Sequence, residues 1–406
     1  MKILIMNTYN TYNYGSMMMA ENLISYFIHN GIKADFFIEN SSDDNIERLR
    51  KATAYQNIYK DKLISIKEIN AKNKIIKIKN KLIEQIKTSK VKYYDAAIIL
   101  GGDTFSEIYS KNIGVYLQLK KIQKINKNCK LFMIGQTIGP YTNWRAKMAT
   151  KTFSKVKLFS RDRVSSKYLK EELNIDSIPM RDLAFLDLNL QTKYEKEYKK
   201  ILAKYNLKDG NYITVVGTGL ARLYSNNEQE FTDKFVEIIK KIKEKYQSKK
   251  IVWLSHVVTP NEPSDNTFLE EINNKYDNFI NKNLMVIKET LLPVEARIIL
   301  GHGYFTLTCR MHAAVSTFQM SRPAICLSYS PKYKGVIADG LKMDELVVEC
   351  NEKYIHQENF VKEVLDKTNY IDENYDELVK NISTQVSKCQ KIIKENLDEI
   401  IKEIKE

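Results

Sequence analysis

Short apolar runs recur along this chain, several ending in a polar or glycine-bearing turn and most followed by a stretch of helical spacing, and this alternation constrains the fold more than any other feature. Residues 2–7, 34–38, 96–100 and 130–134 read as strands in the first half. Residues 212–216, 250–255, 284–287, 305–308 and 324–327 read as strands in the second half, and helical spacing marks 16–30, 231–246, 266–279, 293–300 and 311–320. A continuously apolar strand is buried on both faces, and a helix between two strands supplies the crossover that a parallel pair requires. The fold class expected is therefore α/β, with two doubly wound, Rossmann-like domains facing a cleft. A length of 406 residues agrees, because it exceeds what one hydrophobic core usually accommodates. A polar, charged run over 191–210 separates the halves, so domains are expected at 1–195 and 205–365, with a helical tail over 370–406.

Several function classes fall away on composition. The apolar run at residues 3–6 is too short for a signal-peptide core, and no stretch approaches the roughly 18 apolar residues of a membrane span, so a cytoplasmic protein is expected. Cys129, Cys309, Cys326, Cys350 and Cys389 are odd in number and widely spaced, which argues against a disulfide framework and against zinc. No His-Glu-x-x-His pattern occurs, so neither a metal nor a resident cofactor is expected. The net charge of +14 is concentrated between Arg48 and Lys92, where fourteen lysines and arginines face three acids. Within this basic segment, 48–92, residues Ile75, Ile78, Leu82, Ile83 and Ile86 share one helical face. It reads either as a solvated face or as a surface for an anionic membrane, at the inner face of which the chain would be peripheral. Nucleic acid is not an expected partner, since no helix-turn-helix, RNP or zinc-finger pattern accompanies the charge.

Chemistry should sit beyond the carboxyl ends of the strands, where helix N-termini present backbone N–H groups. Asn13, Gly15 and Ser16 follow the first strand; Gly101, Gly102 and Asp103 follow another; Gln136 lies in the turn after a third. In the second half Arg310 precedes a helix and His312 sits in its first turn, so guanidinium, imidazole and amides would converge on one anion. Tyr329, Lys332 and Lys334 follow the next strand, and Arg222 and His256 complete the candidate binding set. Each signal also has a structural reading. Glycine pairs after strands commonly serve tight turns, a lone histidine near a helix start is often a cap, and Arg161-Asp162 reads either as a surface ion pair or as a brace.

Taken in order, these residues resemble the polysaccharide pyruvyl transferase family, from the first strand to Gly340. The likeness rests on Asn13 to Gly15, Gly101-Gly102, Gly135-Gln136-Thr137-Ile138-Gly139-Pro140, Arg161-Asp162 with Ser165, Asp182-Leu183-Ala184-Phe185, Arg310-Met311-His312-Ala313 and Tyr329-x-x-Lys332-x-x-Gly335. It departs at Asp103, where a third glycine is common, and at Ser16, where an acid is common; Arg222 is only a loose match for an arginine of the second domain. The resemblance implies a GT-B-like fold, an N-terminal acceptor side and a C-terminal donor side, and transfer of pyruvate from phosphoenolpyruvate to sugar hydroxyls as a ketal. It places Arg310 and His312 at the donor site. On this reading Arg310 and Lys332 hold the doubly anionic donor, His312 is the acid, and Asp103 is a base toward the acceptor, a sugar or lipid-linked oligosaccharide. Two other readings fit the same residues: a GT-B glycosyltransferase in which the 310–312 site grips a nucleotide diphosphate, and a non-catalytic binding or scaffolding protein.

Overall fold

The computed structural model describes residues 1–8, 10–62, 88–107, 113–260, 264–276 and 279–406. Most of the basic segment, including the amphipathic face at residues 75–86, lies outside the described residues. The chain divides into two compact units, one made of Met1–Thr11, Met19–Leu183 and Lys391–Glu406, the other of Tyr12–Met18 and Ala184–Gln390.

The first unit is built on seven parallel strands, β1 (Lys2–Met6), β2 (Asp35–Ile38), β3 (Ile58–Lys60), β4 (Ala96–Phe105), β5 (Lys130–Ile138), β6 (Lys157–Ser160) and β7 (Ile178–Pro179), in the order β3-β2-β1-β4-β5-β6-β7. Ile3, Leu4 and Ile5 are fully buried at its centre, each contributing roughly 1.5–3 kcal/mol of transfer free energy. The strand order reverses between β1 and β4, which makes their carboxyl ends the switch point of this sheet.

The glycine clusters of this half are not turns. Gly101 to Thr104 continue β4, and Gly135 to Ile138 continue β5. A Cβ on Gly101 would lie 3.1 Å from the Gly135 carbonyl carbon and nearer still to its oxygen, so the missing side chain lets the two backbones approach. Register shifts between Gly102 and Phe105, and between Ile134 and Gln136, absorb the irregularity. Arg161-Asp162 is likewise not a surface pair. Both residues are buried; Arg161 pairs with Asp182 at 2.7 Å, while Asp162 caps the helix Arg163–Leu173 through the Ser165 amide.

The second unit carries six parallel strands, β8 (Tyr212–Val216), β9 (Lys250–Leu254), β10 (Met285–Ile287), β11 (Thr306–Thr308), β12 (Ala324–Ser328) and β13 (Val347–Glu349), in the order β10-β9-β8-β11-β12-β13. Here the order reverses between β8 and β11. Two boundaries differ from those read in the sequence. The tail is the end of one long helix, Phe360–Lys405, in which Asn374 leaves helical geometry, and its last residues group with the first unit. There Lys157 meets Glu399 at 2.6 Å and Tyr26 donates to Asp398 at 2.8 Å. Residues 12–18, conversely, group with the second unit, because residues 12–14 pair with 256–258 rather than with the first sheet. No helix among the described residues is long and apolar enough to cross a membrane.

Candidate functional site

The carboxyl edge of the second sheet gathers most of the polar side chains singled out in the sequence. β11 ends at Thr308, whose hydroxyl oxygen accepts the Arg310 amide at 2.8 Å and turns the chain into the helix Met311–Gln319. Above this turn the hydroxyls of Tyr224 and Tyr333 both donate to the Cys309 carbonyl, at 2.7 and 2.6 Å. Both phenols are fully buried, and burial holds their pKa values well above the ordinary range, so they remain donors. The residue before Arg310 is thereby clamped from two elements.

Arg310 is 15% exposed, and its guanidinium is held by a residue the sequence reading did not select. Asp265, fully buried at the start of the helix Asp265–Lys275, accepts from Arg310 Nε at 2.9 Å and Nη2 at 2.7 Å through one carboxylate oxygen. Its other oxygen accepts the backbone amides of His256 and Val257 at 2.8 and 2.9 Å. Burial opposes the Arg310 charge, but the attraction and hydrogen bonds of Asp265 outweigh it, and the guanidinium pKa is raised. Asp265 therefore fixes the plane of the fork and leaves Nη1 outside the pair.

The segment 256–258 passes this order on to residues 12–15. Tyr14 donates its amide to the His256 carbonyl at 3.1 Å, and Val258 donates to Tyr12 at 2.9 Å. Asn13 Oδ1 then accepts the amides of Gly15 and Ser16, at 3.2 and 3.4 Å, and starts the helix Tyr14–His29. Gly15 lies flat against His312: a Cβ there would be 2.5 Å from His312 Cγ and closer still to Nδ1. Only glycine admits the imidazole at this distance. Asp265, Arg310, the 256–258 segment, Asn13, Gly15 and His312 form one continuous set of contacts within the second unit.

His256 lies beneath this set, 2% exposed, with the Tyr14 ring edge-on at 5.3 Å. Burial, followed by the neighbouring charges of His312, Arg310 and Arg297, pushes its pKa well below the usual 6.5. It is a neutral imidazole at physiological pH. Arg297, fully buried, donates to the carbonyls of Ala184 and Leu186 at 2.7 and 2.9 Å.

The remaining candidates take varied places. Tyr329 is half-buried, its ring 5.0 Å from Tyr224, and its hydroxyl accepts from Lys332 Nζ at 2.6 Å. The Tyr224 and Tyr329 hydroxyls are near enough to the Arg310 guanidinium to contribute to its raised pKa. Lys334 and Arg222 are exposed, Arg222 in the 3-10 turn Ala221–Leu223 after β8. Asp103, Gly101, Gly102 and Gln136 belong to the first unit. There Asp103 is half-buried near the switch point of the first sheet, while Gln136 is fully buried and its amide donates to the Ile99 carbonyl at 2.9 Å. Among the described residues no group of three or more His, Cys, Asp or Glu is placed to hold a metal ion.

Two parallel-sheet α/β domains, each with a switch point, define a GT-B-like fold. Solved structures of low identity share it. A UDP-GlcNAc 2-epimerase from Neisseria meningitidis aligns with a TM-score of 0.59 at 12% identity, covering 100% of this chain and 99% of that one. A UDP-N-acetylglucosamine 2-epimerase from Rickettsia bellii aligns with a TM-score of 0.59 at 11% identity, covering 98% of both. Residues 13–331 match the polysaccharide pyruvyl transferase pattern, and the chain belongs to that family. It is also 23% identical over 316 residues to the amylovoran biosynthesis protein AmsJ of Erwinia amylovora, covering 74% of this chain and 70% of that protein. The protein is a transferase with a role in modifying polysaccharide.

Proposed function

We propose that the protein transfers the pyruvyl group of phosphoenolpyruvate to two hydroxyls of a sugar in a polysaccharide or its precursor, forming a ketal and releasing inorganic phosphate. The observation that carries this reading is the Arg310 guanidinium, oriented by Asp265 at the strand-reversal edge of β8 and β11, with His312 two residues on in the first turn of a helix. Phosphoenolpyruvate bears a carboxylate and a phosphate, and a planar guanidinium beside the positive end of a helix dipole suits one of them. Lys332, half-buried on the same edge, is the proposed second cation.

In the proposed reaction His312 donates a proton to the methylene carbon, using the carbon–carbon π pair and leaving the adjacent carbon electrophilic. A sugar hydroxyl adds there, the bond to the phosphate oxygen breaks, and the hydroxyl proton leaves with the phosphate. The second hydroxyl then closes the ketal and returns its proton to His312. Arg310 and the helix amides balance charge that shifts between carboxylate and phosphate, which is worth most in a site already fixed in place. His256, neutral and buried, packs beneath Tyr14 as support for this edge rather than as an acid.

The test is a product assay. Incubation with phosphoenolpyruvate and an oligosaccharide acceptor should release phosphate and give a methyl singlet of a ketal in the proton NMR spectrum, both lost in His312→Ala. Turnover with nucleotide sugars and none with phosphoenolpyruvate would replace this reading by glycosyl transfer.

A further inference from the structure

A pocket of about 620 Å³ in the first unit lies beside the edge strand β3. Its walls are aromatic. Phe37 and Tyr59 are register partners across β2 and β3, with ring centres 5.6 Å apart, and Tyr93 and Tyr94 meet Phe37 at 6.1 and 5.3 Å. Tyr94 is buried and its hydroxyl is bonded to the buried Asp61 carboxylate, so that wall is preformed. Tyr59 and Tyr93 are 38% and 48% exposed. Large exposed rings clustered beside a sheet edge invite association.

The charged lining sets Arg50, Lys60 and Lys62 against Asp35 and Asp43, one positive charge in excess. Arg50 donates to the Ile58 carbonyl at 2.7 Å with its guanidinium carbon 5.8 Å from the Tyr59 ring centre, Lys60 pairs with Asp43 at 3.3 Å, and Lys62 is exposed. These cations belong to the basic stretch between Arg48 and Lys92. Aromatic faces carry partial negative charge and attract the weakly positive C–H face of a pyranose ring, and Asp43, Lys60 and Lys62 in the lining are suited to bond ring hydroxyls and an anionic substituent. An acyl chain would use the rings but gain nothing from the cations. The volume falls in the range of small-molecule sites.

We propose that this pocket binds an acidic saccharide unit of the acceptor, a pyranose carrying a carboxylate. The assignment rests on the polysaccharide-directed reading above, and its test separates the two. The full chain is titrated with a tetraglucuronate and with neutral maltotetraose by calorimetry and saturation-transfer NMR, with phosphoenolpyruvate titrated in parallel. Wild type should bind the acidic saccharide more tightly than the neutral one. Tyr59→Ala combined with Tyr93→Ala, both at exposed positions, should weaken it at least tenfold and leave phosphoenolpyruvate binding unchanged. Lys62→Gln should remove the preference for the acidic saccharide. A wild-type protein that binds neither saccharide, or a double variant that binds as tightly as wild type, overturns the pocket assignment whatever phosphoenolpyruvate does. Loss of saccharide binding in the double variant sustains it even if phosphoenolpyruvate never binds.

Discussion

Gly15→Ala adds one methyl group, changes no charge, and should disable the site. The new carbon would sit 2.5 Å from His312 Cγ and 2.8 Å from its Cβ, where ordinary contact begins at 3.4 Å. The imidazole must therefore move by about 1 Å or leave its rotamer, a strain of roughly 1–3 kcal/mol by analogy with overpacked cores. A 1 Å displacement of a reacting group is enough to cost on the order of 100-fold in rate. Phosphate release from phosphoenolpyruvate should fall by about that factor, and the denaturation midpoint should shift by an amount equivalent to about 1–3 kcal/mol. The control is the same substitution in a His312→Gly background, where both the ring and the Cβ at 2.8 Å are gone and the methyl has room. There the stability cost of Gly15→Ala should nearly vanish, giving a coupling of more than about 1 kcal/mol. An identical cost in both backgrounds would show that the Gly15–His312 approach does not govern the position.

Three further outcomes follow from buried groups. Asp265→Ala leaves Arg310 and two backbone amides without their partner, and should cost about 3–5 kcal/mol in chemical denaturation together with at least tenfold in donor affinity; a fully stable variant with unaltered affinity would contradict the positioning role. His256 has a depressed folded pKa, so it takes up its proton more readily when unfolded. Its contribution is present above the unfolded value near 6.5 and is lost progressively as pH falls below it, and His256→Gln should lose less stability over the same interval. Asp182→Ala strands the buried Arg161 and should destabilise by about 3–5 kcal/mol, whereas Arg161→Met with Asp182→Leu should recover most of that loss; equal losses in the two variants would refute the account of this pair.

The sheet of the second unit was largely legible, because its strands are continuously apolar and flanked by polar turns: residues 212–216 coincide with β8, and the expected β9 and β12 differ from those observed by one residue. Arg310 and His312 could be placed at a helix start from the same pattern. Gly101 to Thr104 could not be placed as strand, since the local signal of paired glycines is a turn and the cause of their extension is the Gly135 backbone on a neighbouring strand. Asp265 was invisible for a similar reason. Its only local mark is its place after the cap residue Ser264, while its partner is forty-five residues away in sequence. The grouping of residues 12–18 with the second unit also arises from pairing with 256–258, which no periodicity encodes.

The donor's affinity for wild type and for Arg310→Gln is the most direct measure of the central claim, and calorimetric titration with phosphoenolpyruvate reads it. A charge-assisted bidentate contact of about 3 kcal/mol corresponds to a loss of roughly 100-fold, so the variant should bind at least that much more weakly while remaining folded. Equal binding by the two proteins would mean that the guanidinium held by Asp265 does not receive the donor, and that the edge of β8 and β11 is not where phosphoenolpyruvate is recognised.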